Sequence, residues 1–299
     1  MTREKTHHPS ERKPEVLYGV HQLLFCETFT REDLPIMDLA KELGFDGMEF
    51  TLFDPDSFPA ADVRERARSL GLRLNTGIGL STEHNLISPQ AETRRRGIEF
   101  MKRLVELTQR IGAENLTGVN YAGWGYLTGK MRTQQEWGWA VEAFREICGF
   151  AKQNTDVVLC TEPVNRFESH LLNIAAEAVA FIDAVGEPNA RVHLDTFHMI
   201  REEASFAEAV RICGQRLGDV HACENQRGIP GTGLVPWEEF YRALRSVGYD
   251  GWITIESFDP DMENIAKLCC IWRKLAESPR QLASQGLAFL KKVESTTKP

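Results

Sequence analysis

The stretch Val157-Val158-Leu159-Cys160-Thr161-Glu162 is a β-favouring, mostly apolar run closed by an acid. Three later runs end the same way on a residue able to ligate a metal: Val192-His193-Leu194-Asp195, Asp219-Val220-His221 and Trp252-Ile253-Thr254-Ile255-Glu256. The closing residues follow one another at intervals of 33, 26 and 35, near the about 31 residues per strand-helix unit of an eight-fold β/α barrel of about 250 residues. Such a barrel delivers the end of every strand to one shared face, so side chains far apart in sequence converge there. Three carboxylates and an imidazole at one mouth repel unless positive charge lies between them, and a divalent cation is the simplest source of it. The spacing therefore predicts a metalloenzyme.

The rest of the chain repeats the same alternation. Apolar β-type runs at 16–20, 47–51, 73–76 and 115–119 precede the four already quoted, and helical patterns over 34–43, 61–70, 89–111, 133–152, 174–185, 206–213, 236–247 and 263–275 fall between and after them. Gly44, Gly71 and Gly112 stand where helix C-caps are expected, and Thr133 where an N-cap is. Strict strand-helix alternation implies a parallel sheet. With no change of composition between the halves, the fold class expected is α/β: a (β/α)8 TIM barrel, with an additional C-terminal helix from Pro279 to about residue 293.

The 299 residues are 42% hydrophobic and 26% charged, enough for one large core. The domain reading is a flexible arm over 1–14, containing His7 and His8, and a single catalytic domain over 15–299. A formal charge of −8 argues against nucleic acid, which needs a basic face to displace counterions. No apolar run approaches the about 18 residues of a membrane span, and no signal-peptide core follows the N-terminus, so a cytoplasmic location without membrane contact is expected. The seven cysteines form no C-x-x-C pair and read as reduced, structural thiols.

A site of Glu162, Asp195, His221 and Glu256 offers three oxygen ligands and one nitrogen. That donor set suits one Mn²⁺ per subunit, with Mg²⁺ or Co²⁺ accepted, better than a structural zinc. Each residue taken alone has an ordinary alternative as a solvated or ion-paired group. Four at matched strand ends together favour the metal reading.

The segments TEPVNRFE (161–168), HLDTFHM (193–199), DVHACENQRGIPGTG (219–233) and GYDGWITIESF (248–258) resemble the D-tagatose 3-epimerase family of ketose 3-epimerases, which includes D-psicose (allulose) and L-ribulose epimerases, within the xylose-isomerase-like barrels. The resemblance covers most of residues 17–258. It implies Glu162, Asp195, His221 and Glu256 as metal ligands and Glu168, His198 and Arg227 as contacts to the O1–O3 edge of a small sugar. It also implies inversion at C3 of a free ketose of the D-tagatose, D-fructose, D-psicose or L-ribulose type, through a metal-stabilised enediolate, with Glu162 and Glu256 as acid and base on the two faces of C3. Related barrels assemble as homodimers or homotetramers.

Other placements come from the chain itself. Trp124, between Gly123 and Gly125 past the fourth strand, reads as a platform for a sugar face. His21, Phe25 and Phe29, after the first strand, stand where the family often carries tyrosine or tryptophan; this departure leaves the C4–C6 end of the substrate undefined, and His21 and Phe29 are candidate substrate contacts. His198 otherwise reads as a cap in a strand-to-helix loop, Arg227 as a surface partner of Glu224, and Glu168 as a partner of Arg166. The same metal chemistry also fits a hydroxypyruvate-isomerase-like sugar isomerase or a keto-sugar lyase or dehydratase. The acidic charge and the eight histidines, two of them in the arm, speak against a multi-zinc phosphodiesterase.

Overall fold

The computed structural model describes residues 16–297. Its eight strands are β1 (Leu17–His21), β2 (Gly47–Thr51), β3 (Arg73–Gly79), β4 (Asn115–Val119), β5 (Val158–Thr161), β6 (Ala190–Asp195), β7 (Leu217–His221) and β8 (Trp252–Ile255). Each pairs in parallel with its neighbour and β8 returns to β1, closing a barrel in sequence order. The expected eight-fold barrel is therefore the observed one. The arm over 1–14 lies outside the described residues.

The helices are α1 (Pro35–Leu43), α2 (Ala60–Leu70), α3 (Ala91–Ile111), α4 (Gln134–Asn154), α5 (Ala175–Val185), α6 (Thr196–Glu202), α7 (Phe206–Cys213), α8 (Trp237–Ser246), α9 (Glu263–Leu268) and α10 (Pro279–Thr296). Local chemistry sets several of these ends. Thr133 caps α4 by accepting the Glu136 N–H while the Glu136 carboxylate accepts the Thr133 N–H, a reciprocal capping box. The terminal helix α10 is present, capped by Ser278, and Tyr18 of β1 donates to Glu294 on it at 2.9 Å.

Three expectations shift. β3 runs three residues past the expected end at 76, because Gly77 and Gly79 weaken the strand signal yet extend the pairing with β4. The helix expected over 263–275 stops at Leu268, and Cys270 turns to φ +55, outside the right-handed helical region. The segment after β6 is not a loop but α6, seven residues long and capped by Asp195.

The register positions the site. Asp195 pairs with His221 across β6 and β7, and His21 with Glu49 across β1 and β2. Gly118 in β4 adopts φ +101, where a side chain is strained and where a Cβ would lie 2.4 Å from the Ile78 carbonyl oxygen. Its carbonyl accepts the Glu162 N–H at 3.1 Å, fixing the residue that follows β5. At the opposite end Trp252 is buried and plugs the barrel against Gly19 and Gly47, where added Cβ atoms would meet its ring at 3.2 and 2.5 Å.

Candidate active site

The C-terminal ends of the strands surround a cavity that opens to solvent. His21, Glu49, Trp124, Glu162, Glu168, His198, His221, Arg227 and Glu256 all line it. Asp195 and His221 end their strands, and Glu162 and Glu256 follow theirs by one residue. Ligand-type atoms of Asp195, His221 and Glu256 lie within 4.8 Å of one another, as do those of Glu162, Asp195 and His198 and those of Glu162, His193 and His221. The four strand-end residues are thus linked through Asp195 and His221, with the two glutamates in separate triads.

Protein hydrogen bonds hold His221, Asp195 and Glu256 in place. His221 donates from Nε2 to both oxygens of Glu49 at 3.1 Å, while its buried Nδ1 has no hydrogen-bond partner and lies 3.5 Å from Glu256 Oε2. Asp195 caps α6 with Oδ1, accepting the Phe197 N–H at 2.7 Å, while Oδ2 accepts from Arg227 Nη1 at 2.9 Å. An unpartnered imidazole nitrogen beside three carboxylates is a donor set that a hard divalent cation satisfies, so the residues present fit such an ion.

Electrostatics separate the two glutamates. Burial, reinforced by Asp195, pushes the Glu162 carboxyl well above the usual carboxylate range. Glu256 is a little more exposed, and there His221 and Arg227 outweigh burial and hold its carboxyl well below that range. His221 is raised because Glu49 and Glu256 outweigh its own burial.

Arg227 is the cation of the site. Its Nη1 donates to Glu256 Oε2 at 2.7 Å and Asp195 Oδ2 at 2.9 Å, with Cys223 Sγ at 2.8 Å. The guanidinium lies over the Phe197 ring at 3.8 Å, with Phe258 at 5.2 Å. Arg227 does not pair with Glu224. Glu224 is fully buried and accepts the N–H groups of Asn225, Gly231 and Val235 and the indole N–H of Trp237, at 2.8 to 3.1 Å, so its carboxylate ties together the loop that carries Arg227 at φ +63.

His198 sits in the first turn of α6. The main-chain N–H of Asn165 donates to its Nδ1 at 3.1 Å, which leaves the proton on Nε2, 3.5 Å from Glu162 Oε1. Burial pushes its pKa down to about 3. The cap role falls to Asp195 instead. Glu168 accepts the Trp124 indole N–H and the Asn165 side-chain amide, both at 2.7 Å; Arg166 turns away to Glu202. Trp124 is half-buried and its ring packs where a Cβ on Gly79 would come to 3.0 Å.

Toward the first strand the picture changes. His21 lines the cavity, but its Nδ1 accepts the Leu23 N–H at 3.1 Å and its Nε2 meets Thr51 Oγ1 at 3.0 Å, so both ring nitrogens are engaged. Phe29 does not reach the cavity. It is 3% exposed and stands edge-on to Phe50 at 4.8 Å, in the core with Phe58. Phe25 likewise packs on the core. Leu23, Phe53, Phe258, Ile265 and Cys269 line this side, none singled out from sequence. Glu49 was also missed, although a lone acid inside the apolar strand GMEFT was a readable signal. So was His193, buried edge-on to the His221 ring at 4.1 Å.

A sequence profile described as a xylose isomerase-like TIM barrel matches residues 37–293. An L-ribulose 3-epimerase of Mesorhizobium japonicum is 34% identical over 91% of this chain and 92% of its own. A D-psicose 3-epimerase of Agrobacterium fabrum is 35% identical over 87% and 91%. The crystal structure of a D-allulose 3-epimerase from Methylomonas sp. in complex with D-allulose superposes with a TM-score of 0.89 at 30% identity, over 93% of this chain and 97% of that one.

Proposed function

The chain belongs to the ketose 3-epimerases of the xylose isomerase-like TIM barrel family, isomerase-class enzymes, and on that premise we propose that it inverts C3 of a free ketose of the L-ribulose or D-psicose type with the help of one divalent cation. The observation that carries the reading is the linkage of Glu162, Asp195, His221 and Glu256 at one mouth, with an unpartnered imidazole nitrogen among them. Those four residues would hold the ion, Mn²⁺ by preference from the oxygen-rich donor set, with Mg²⁺ or Co²⁺ accepted. When bound, it supplies positive charge at the O2–O3 edge of the sugar.

The protein's own residues do the rest. One glutamate removes the C3 proton and the other returns a proton to the opposite face, the roles exchanging with direction. The two carboxyls are set apart in proton affinity, Glu162 raised by burial and Asp195, Glu256 lowered by His221 and Arg227, and such a separation supports opposite roles. Arg227 and the Nε2–H of His198 donate toward the developing oxyanion. Glu168, held by Trp124 and Asn165, accepts from a sugar hydroxyl, and the Trp124 face packs on sugar C–H groups. His21 bounds the distal end of the sugar through its ring, its nitrogens being engaged; Phe29 acts there only from behind the wall.

We further read the enzyme as a cytoplasmic homodimer or homotetramer. No helix of the described residues is long and apolar enough to cross a membrane, and Met131, Phe167, Leu234 and Trp272 expose large apolar side chains on segments that follow β4, β5, β7 and β8. Incubation of the Mn²⁺-loaded enzyme with D-fructose, D-tagatose and L-ribulose, followed by chromatography, tests the reaction. C3 epimers support the proposal. An aldose or an unsaturated product would assign the chain to the isomerase or lyase chemistry that the same ligands allow.

A further inference from the structure

Glu49 is a carboxylate lining the cavity, 1% exposed, with no lysine or arginine paired with it among the described residues. Its two oxygens are both 3.1 Å from His221 Nε2, and Oε1 also accepts the Thr117 hydroxyl at 3.0 Å. The β3 backbone closes over it at Gly77, where a Cβ would lie 2.8 Å from Oε1. His21, its register partner, stands 3.8 Å away and is pinned by the Leu23 N–H and by Thr51. The carboxylate is thus held on three sides and directed at a single imidazole N–H.

A histidine has two nitrogens, and the one that carries the proton is set by the partner of the other. Glu49 takes the Nε2 proton, which leaves Nδ1, buried, unpartnered and 3.5 Å from Glu256 Oε2, as the nitrogen able to offer a lone pair to a cation that displaces its proton. We propose that Glu49 is a positioning residue that fixes both the tautomer and the ring orientation of His221, making Nδ1 the ligand atom and setting the affinity of the site for its cation. The inference rests on the reading above that His221 and the three strand-end carboxylates share a divalent ion. Glu49 itself touches neither substrate nor ion in this role.

Partners of this kind are worth 10- to 100-fold in metal affinity. The test is titration of the chelator-stripped full-length protein with Mn²⁺, following loss of the free-ion electron paramagnetic resonance signal, for the wild type, Glu49→Gln and Glu49→Ala. Gln retains one acceptor for Nε2–H and weakens binding about tenfold, whereas Ala removes the acceptor and weakens it about a hundredfold. KM for L-ribulose at saturating Mn²⁺ stays within twofold in Glu49→Gln. Should Glu49→Ala not fold, Glu49→Gln alone decides. A Mn²⁺ affinity within twofold of wild type in Glu49→Gln would overturn the proposal, as would a raised KM with unchanged metal affinity, which would make Glu49 a sugar contact. Absence of Mn²⁺ binding by the wild type would instead overturn the metal reading on which it rests.

Discussion

Asn165 and His198 meet through a main-chain hydrogen bond, the Asn165 N–H donating to Nδ1 at 3.1 Å, so that the imidazole presents Nε2–H to the cavity. With its pKa lowered to about 3 by burial, His198 is a neutral donor at every working pH. It is not a proton shuttle. Two consequences follow for measurements on this residue.

His198→Gln keeps an N–H donor near the same place, whereas His198→Ala removes it. Loss of one oxyanion-type donor costs about 10²- to 10³-fold in kcat. We expect that loss for Ala, a smaller one for Gln, and pH–rate profiles of the same shape for wild type and Gln. A limb that vanishes in Gln would show that His198 titrates in the cycle.

The same depressed pKa makes a stability prediction. Between about 3, the folded value, and the unfolded value near 6.5, the unfolded chain binds the extra proton, so stability contributed by neutral His198 is present above pH 6.5 and is lost as pH falls toward 3. His198→Gln, which cannot take that proton, should lose less stability than wild type between pH 6.5 and 4 in urea denaturation. Equal losses would contradict the assignment.

Arg227 joins Asp195 to Glu256 and is stacked on Phe197, a planar arrangement that an ammonium does not reproduce. Arg227→Lys should lower kcat about a hundredfold with the fold intact. Wild-type kcat in Lys would mean that only charge matters here.

Glu224 organises the loop beneath that arginine with four N–H acceptances and no cation. Glu224→Ala leaves those donors without their partner, at a cost of about 1–3 kcal/mol in denaturant unfolding, and lowers kcat/KM because Arg227 loses its support. Unchanged stability would show that water replaces the carboxylate.

Trp124 donates to Glu168 at 2.7 Å from the loop after β4. Trp124→Phe keeps an aromatic face and removes the donor, so KM should rise about tenfold, the effect of losing a hydrogen bond to a charged group, with kcat changed far less. A fall in kcat alone would place Trp124 in the chemistry rather than in binding.

What the sequence disclosed depended on period. Glu162, Asp195, His221 and Glu256 stand out because a barrel repeats about every 31 residues and ends each strand at one face, and the Thr133 cap stands out because its partner Glu136 lies three residues on. The first-strand side of the pocket has no such repeat. His21 closes β1, one residue past the run read from sequence, and Phe29 lies beyond the 3-10 turn in irregular backbone, where neither a period of 3.6 nor of 2 says which way a ring points; one reaches the cavity and the other the Phe50 cluster. Glu49 gives no spacing signal because its partner His221 lies 172 residues away. Cys270 breaks the α9 pattern through a positive φ that a cysteine rarely adopts and composition does not announce.

The claim on which the rest depends is that Glu162 and Glu256 exchange the proton at C3. NMR of L-ribulose in D₂O with the Mn²⁺-loaded enzyme tests it most directly, in wild type and in Glu162→Gln and Glu256→Gln. The account predicts deuterium at C3 of both epimers with wild type and loss of that label by about a thousandfold in either variant. Deuterium at C1, or C3 exchange that survives both substitutions, would contradict it.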